Sequence, residues 1–112
     1  MNKRPLWMLL ALAVFPLVGQ ADGGAVTIVS PADNARLDAM AEHRITYDVT
    51  PGPGGDHTHL YVDGKEVAVL RQLKGNYPMG SLAPGAHQLC IKIVNKNHTP
   101  IGVEKCIKVK VE

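Results

Sequence analysis

Residues 57–70 read HTHLYVDGKEVAVL, two short runs of alternating character joined by an Asp-Gly pair. Alternation of this kind is typical of half-buried β-strands, and Asp-Gly between two such runs is a strong signal for a two-residue type I′ turn. If Asp63-Gly64 forms that turn, Leu60 lies opposite Val67 and both side chains point into the core. This stretch therefore predicts an antiparallel β-hairpin.

The rest of the chain from Asp22 onward has the same character. No segment shows apolar residues at helical spacing, and short β-branched runs alternate with Pro, Gly, Asn and Asp. We predict strands over residues 25–30, 43–50, 57–62, 65–70, 77–82, 86–94 and 101–111, and one helical turn over residues 38–42. About seven strands indicate an all-β protein, an immunoglobulin-like or fibronectin type III-like antiparallel β-sandwich. A closed five-stranded barrel is the alternative.

The first residues resemble a secretory signal peptide. Lys3 and Arg4 precede an apolar run over residues 6–18, and small residues follow it up to Ala21. The run is too short to span a bilayer comfortably, and no Cys follows it to carry a lipid anchor. We predict a signal peptide over residues 1–21 and a single domain over residues 22–112. The expected location is periplasmic or secreted, with no membrane anchor after cleavage.

The charge of the predicted domain excludes several kinds of partner. Without Lys3 and Arg4, 10 of the 12 basic residues remain, against 10 acidic residues. A neutral chain lacks the positive field that attracts nucleic acid or anionic lipid. A domain of this size has one modest core and no room for a deep substrate cleft, and the sequence has no Gly-x-Ser-x-Gly elbow. We therefore expect no enzymatic activity.

The two cysteines, Cys90 and Cys106, fall at facing positions of the predicted last hairpin. The same register aligns apolar with apolar and charge with opposite charge in three further pairs, Leu89 with Ile107, Ile93 with Val103 and Lys92 with Glu104. It also sets Ile91 against Lys105, which indicates a bulge or an exposed sheet end. In an exported protein this arrangement favours a disulfide over free thiols that act as metal ligands or redox groups.

Histidines at one pole form a candidate metal site. His57 and His59 are two apart on a predicted strand, so both side chains leave its outer face. In a sandwich, the loop before this strand and the loop that carries His98 lie at the same pole. The three histidines offer three nitrogen donors, and Asp56 adds a carboxylate. This set suits Cu(II) or Zn(II) better than Ca(II) or Mg(II). The alternative is that these histidines are solvated or hydrogen-bond nearby loops.

A second histidine pair is expected at the opposite pole. His43 and His87 each begin a predicted strand and share inward parity, so they can approach one another near Met40. One interpretation is a second, soft metal site. The favoured one is a pair of partly buried histidines that hydrogen-bond turn backbone.

Three motifs resemble those of small exported bacterial Ig-like domains of unknown function. They are His-x-His-Leu-x-Val-Asp at residues 57–63, Pro-Gly-x-His at residues 84–87 and the late His-x-Pro at residues 98–100. The segment VTIVSPADNA, residues 26–35, is also similar to the opening strand and turn of exported Ig-like modules. The resemblance implies a periplasmic β-sandwich. It does not indicate an activity, because a shared fold does not establish a shared function.

Two functions are consistent with the sequence. The first is an exported Ig-like protein that binds a divalent transition metal, copper in preference to zinc, for delivery, storage or sensing. The second is a non-enzymatic module that docks a periplasmic protein or a glycan without a metal, with Tyr61, Tyr77 and Arg71 as contact residues. Edge strands of such sandwiches can pair between chains, so the oligomeric state stays open.

Overall fold

Two β-sheets pack face to face in the computed structural model, which describes residues 23–112. The predicted signal peptide lies outside the described residues. The strands are β1 (Ala25–Ser30), β2 (Ala35–Leu37), β3 (His43–Thr50), β4 (His57–Val62), β5 (Lys65–Leu70), β6 (Lys74–Gly80), β7 (Gly85–Val94) and β8 (Pro100–Val111). One sheet has the order β1-β3-β6 and the other β2-β8-β7-β4-β5. The sandwich prediction is confirmed, and the two open sheets replace the alternative of a closed barrel.

The core forms between the facing sheets. Alternation in β3 turns Ile45, Tyr47 and Val49 inward, and all three are buried. They meet buried aliphatic side chains of the larger sheet, Leu60, Leu70, Leu89, Ile91, Ile93, Ile107, Val109 and Val111. Each such side chain contributes about 1.5–3 kcal/mol when fully buried. The core thus fixes β4, β7 and β8 as a rigid support for whatever lies on the outer face of the larger sheet.

Short or edge strands account for the differences from the predicted strand bounds. β2 was not predicted, because its three residues follow a turn and are extended through parallel pairing with β8, Ala35 with Val109 and Leu37 with Val111. β6 begins and ends earlier than the predicted 77–82. It contains Pro78 and lies at an edge of the smaller sheet, where a missing backbone donor is tolerated.

The expected helical turn over residues 38–42 is absent. The chain there makes a single hydrogen-bonded turn, in which Ala41 N donates to Asp38 O over 3.2 Å. The Asp38 carboxylate also accepts from Met40 N at 2.8 Å. Side-chain acceptance of this kind competes with helix formation and favours a turn. Within residues 23–112, no helix is long and apolar enough to cross a membrane.

A β-bulge corrects the predicted register of the β4–β5 hairpin. Tyr61 pairs with Glu66 as the Asp-Gly turn requires, but the register shifts before Leu60, which pairs with Ala68. The predicted Leu60–Val67 pair is therefore wrong, and Val67 is 47% exposed. The extra residue turns Leu70 into the core. The pairing of apolar side chains in the core thus overrides the register set by the turn.

The disulfide prediction is confirmed on the β7–β8 hairpin. Cys90 and Cys106 are direct cross-strand partners with an S–S distance of 2.04 Å. Leu89 pairs with Ile107 and Lys92 with Glu104, as predicted. The register shifts between Lys92 and Val94, so the predicted Ile93–Val103 pairing is wrong. Ile91 and Lys105 remain paired, with Ile91 buried and Lys105 exposed, so the bulge lies beyond them and nearer the hairpin tip.

Candidate metal site

His57 and His59 lie on β4, which runs between β7 and β5 in the larger sheet. Thr58 and Leu60 point into the core, so the two histidines share the opposite, outer face. Despite that position, His57 is 1% and His59 is 2% exposed. Their strand is interior to the sheet and their rings are covered from outside. The structure therefore does not place them on a solvated strand edge.

His98 is brought to this face by a tight loop at the tip of the β7–β8 hairpin. The side-chain oxygen of Asn95 accepts from Asn97 N at 2.8 Å and from Thr99 N at 3.1 Å, and Asn95 N donates to Thr99 O over 2.9 Å. His98 itself adopts a left-handed conformation with φ of 64°. The loop thus holds the His98 ring against the two rings of β4, while the residue as a whole stays exposed.

Three imidazole nitrogens converge. Nδ1 of His98 lies 3.2 Å from Nε2 of His57 and 2.9 Å from Nε2 of His59. The three residues form a group that can hold a metal ion, with all ligand atoms within 4.8 Å of one another. At metal–nitrogen distances of about 2.0–2.1 Å, ligand nitrogens lie about 3.3 Å apart around a tetrahedral ion and about 2.9 Å apart at right angles. The observed spacings fall in that range.

Two carboxylates lie behind the cluster. Asp56 Oδ2 is 2.8 Å from Nδ1 of His57, so this nitrogen donates to the carboxylate while Nε2 faces His98. Asp56 was predicted as a fourth ligand. The structure places it instead on the far nitrogen of His57, outside the group of convergent ligand atoms. Such a carboxylate orients a metal-binding histidine and raises the basicity of its ligand nitrogen.

Glu66 is the residue that the sequence reasoning missed. Its Oε1 lies 3.1 Å from Nδ1 of His59, at an angle outside hydrogen-bonding range. That buried nitrogen consequently has no hydrogen-bond partner among the described residues. Glu66 is 46% exposed, so its side chain has room to rotate into line. The register of the Asp-Gly turn could have identified Glu66. It pairs Glu66 with Tyr61, whose side chain lies on the same side of the sheet as that of His59.

Burial and hydrogen bonding set the protonation of the site. Burial lowers the pKa of His59, and the nearby histidines add to this effect while Glu66 opposes it. The hydrogen bond from His57 lowers the pKa of Asp56, with Lys96 and Arg71 contributing at longer range. A lowered pKa favours the neutral form of His59, which has an imidazole lone pair to offer a cation.

The two Nε2 atoms of the β4 histidines face a single atom, Nδ1 of His98. One ring nitrogen carries at most one proton, so His98 cannot donate a hydrogen bond to both of them. A metal ion placed between the rings can accept a lone pair from each of the three nitrogens.

A shallow cleft lies beside the cluster, between the glycine-rich loop before β4 and the tip of the β7–β8 hairpin. Its volume is about 400 Å³, and its lining residues are Gly54, Gly55, Asp56, Asn95, Lys96 and Asn97. The cleft borders Asp56 on one side and the loop of His98 on the other. Asp56, which contacts His57, is the lining residue that connects the cleft to the cluster.

The second histidine pair does not form a cluster. Nε2 of His43 lies 2.8 Å from the Asp38 carbonyl oxygen. His87 lies 2.6 Å from the Asp63 carboxylate through Nδ1 and 2.7 Å from the Ala83 carbonyl oxygen through Nε2. Within residues 23–112, the two histidines share no hydrogen bond and belong to no metal-ligand group. Each is held by its own turn.

The residues expected to contact a partner lie apart. Tyr61 is half-buried on the outer face of the larger sheet, where the Lys92 ammonium lies 4.4 Å from the centre of its ring. Tyr77 is on β6 of the other sheet and packs against the core. Arg71 is exposed just after β5. The two tyrosines therefore do not share one contact surface.

Comparisons with known proteins bear on the fold. No family model and no curated protein sequence matches this chain. The fibronectin(III)-like modules of Clostridium thermocellum CbhA superimpose with a TM-score of 0.65 at 17% identity, over 78% of this chain and 96% of that one. This likeness confirms the fibronectin type III-like sandwich. A lytic polysaccharide monooxygenase of Jonesia denitrificans, known from neutron crystallography, gives a TM-score of 0.46 at 16% identity over 73% and 60% of the two chains. That score is too low to bear on the site.

Proposed function

We propose that this protein is an exported β-sandwich that binds one divalent transition metal ion, Cu(II) in preference to Zn(II), through His57, His59 and His98. The ion is held for delivery, storage or sensing. The observation that carries the proposal is the meeting of three imidazole nitrogens at 2.9 and 3.2 Å, two of them on buried rings. A buried polar cluster of this kind is costly unless its lone pairs are satisfied.

The donor set supports the choice of ion. Imidazole nitrogen suits copper and zinc, whereas calcium and magnesium require oxygen ligands. Sulfur ligands, which favour Cu(I), are missing from the group, because both cysteines are joined in the disulfide. For a given set of nitrogen donors, affinity for Cu(II) exceeds that for Zn(II). Copper in its divalent state is therefore the proposed physiological ion.

The proposed location is consistent with the disulfide. Cross-links of this kind persist in the periplasm and outside the cell and are rare in the cytosol. The Cys90–Cys106 bond belongs to the hairpin that carries His98. An oxidising compartment also keeps copper in the divalent state, for which nitrogen ligands are suited.

Calorimetry and electron spin resonance with Cu(II) test the proposal. The protein is expected to bind one ion, with nitrogen hyperfine structure in the spectrum. His57→Ala and His59→Ala should each weaken binding by more than the roughly 10–100-fold typical of losing an outer-sphere partner. Zn(II) should compete and bind less tightly.

His87→Gln is the matched control. His87 also bonds a carboxylate, Asp63, but lies outside the cluster, so its replacement should leave Cu(II) affinity unchanged. Wild-type protein that binds Cu(II) no better than the His57→Ala/His59→Ala double variant would refute the proposal. The non-metal interaction module would then be the surviving function.

A further inference from the structure

The three histidines of the site are not equivalent. His57 and His59 lie on an interior strand and are almost fully buried, and each has a carboxylate oxygen within 3.1 Å of its far ring nitrogen. His98 is exposed, and its position depends on a short loop whose residues 96–99 are all exposed. Neither β4 ring can turn out to solvent unless the groups that cover it move first. Displacing the His98 ring requires only rotation of a side chain or opening of a surface loop.

The bonds that hold this loop are few and local. Two hydrogen bonds to the Asn95 side-chain oxygen, from Asn97 N and Thr99 N, close it from inside. His98 N donates to the Asn95 carbonyl oxygen over 2.9 Å. Exposed hydrogen bonds with few apolar contacts open at low free-energy cost. The cleft of about 400 Å³ beside Asp56 leaves space for an incoming group next to the cluster.

We infer that His98 is the exchange ligand of the site, an inference that rests on the proposed metal-binding function. His57 and His59 retain the ion while His98 leaves it, and an imidazole or carboxylate donor of an incoming molecule enters through the cleft and occupies the vacated position. Release is then ligand-assisted and passes through an intermediate in which protein and acceptor share the ion. The coordinate bond from His98 to the ion breaks and one from the incoming donor forms. No covalent bond changes, and the ion keeps its oxidation state.

Copper transfer kinetics test this inference. Cu(II)-loaded protein is mixed with excess free histidine, and transfer is followed by the loss of the protein's visible absorption. For the wild type, the observed rate should rise with histidine concentration. His98→Ala should still bind Cu(II), with fewer nitrogen couplings than the wild type, and should transfer it at least about tenfold faster, because losing a ligand weakens a site by more than losing an outer-sphere partner. His57→Ala should lose the ion outright.

Asn95→Ala separates loop opening from ligand loss. This variant removes the two side-chain hydrogen bonds that close the loop and keeps the backbone bonds and His98, so its equilibrium spectrum should match the wild type while its transfer rate rises. Asn76→Ala is the control, because it removes an amide bonded to Arg44 Nε at 2.7 Å on the other sheet. Its transfer rate should equal that of the wild type.

The possible outcomes distinguish this inference from the proposed function. A transfer rate that is independent of histidine concentration and unchanged in Asn95→Ala would overturn the role of His98 while metal binding stood. Equal weakening of Cu(II) affinity by His98→Ala and His57→Ala would overturn it too, because the three ligands would then be equivalent. Absence of Cu(II) binding by the wild type would overturn both.

Discussion

The Nδ1 atom of His87 lies 2.6 Å from Oδ2 of Asp63, and this contact joins the start of β7 to the β4–β5 turn. The other Asp63 oxygen accepts from Gln88 N at 2.8 Å, and Asp63 N donates to the Gln88 carbonyl oxygen. One aspartate therefore fixes both the turn and the strand beside it. The ion pair makes the stability of this pole depend on pH.

The hydrogen bond to Asp63 raises the pKa of His87 above 6.5, and the hydrogen bond from His87 lowers that of Asp63 below 3.8. The contribution of His87 is complete below pH 6.5 and is lost as pH rises through the raised value. The contribution of Asp63 is present above pH 3.8 and is lost as pH falls through the lowered value. A double-mutant cycle of His87→Gln and Asp63→Asn, measured by urea unfolding, should show stronger coupling near pH 5 than near pH 9. Equal coupling at both would contradict the assignment.

Thr58 should tolerate, and benefit from, loss of its hydroxyl. The side chain is fully buried on the core side of β4, and Oγ1 has no hydrogen-bond partner among residues 23–112. Thr58→Val keeps the shape and removes the unsatisfied group, so the free energy of unfolding should rise by about 1 kcal/mol. Thermal unfolding should shift upward by about 4–8 °C for a domain of this size. Thr58→Ser, which keeps the hydroxyl and loses the methyl group, should be less stable than wild type. A Thr58→Val protein that melts at or below the wild-type temperature would contradict this account.

The two carboxylates should tune metal affinity without supplying ligands. Asp56→Ala and Glu66→Ala each remove the group behind one β4 histidine, and each should weaken Cu(II) binding about 10–100-fold. The number of nitrogen couplings in the spin-resonance spectrum should not change. Asp48→Ala is the control, since Asp48 lies on the smaller sheet near Lys74. A changed first coordination sphere in Asp56→Ala would show that the carboxylate is a ligand after all.

Removal of the disulfide should destabilise the fold substantially. Cys90 and Cys106 are 16 positions apart, and closing a loop of this size contributes about 3 kcal/mol in the chain-entropy model. A Cys90→Ala/Cys106→Ala double variant should therefore unfold at markedly lower urea concentration. Reductant should shift the wild type to the same midpoint and leave the double variant unaffected. A double variant as stable as the oxidised wild type would show that the hairpin needs no cross-link.

Local pattern accounts for the strands that were predicted correctly. Gly, Pro or Asp bounds β1 and β4 on both sides, β3 on its C-terminal side and β5 on its N-terminal side, so most of their limits follow from neighbouring residues alone. β2 is different, because it is extended through its pairing with β8. The bulge at Leu60 likewise depends on which side chains fill the core, a property of both sheets together.

The same division applies to the candidate site. The side-chain parity of β4 and the position of the β7–β8 loop were enough to predict that His98 meets His57 and His59, and the structure brings them together. Their burial was not predictable, because it depends on how closely the loop folds over the sheet. The position of Asp56 on the far nitrogen of His57 depends on a side-chain rotamer, which no sequence pattern specifies.

His98 lies midway along the segment that the disulfide closes, eight residues after Cys90 and eight before Cys106. The disulfide joins the two ends of the segment of fifteen residues between Cys90 and Cys106. A coordinated ion would join the tip of the same segment, at His98, to strand β4. Two cross-links on one ring are energetically linked, since order imposed by either lowers the entropy that the other must overcome. If the proposed ion is bound, a thiol reductant and a copper chelator both loosen this hairpin, and reduction of the disulfide lowers the affinity for the ion.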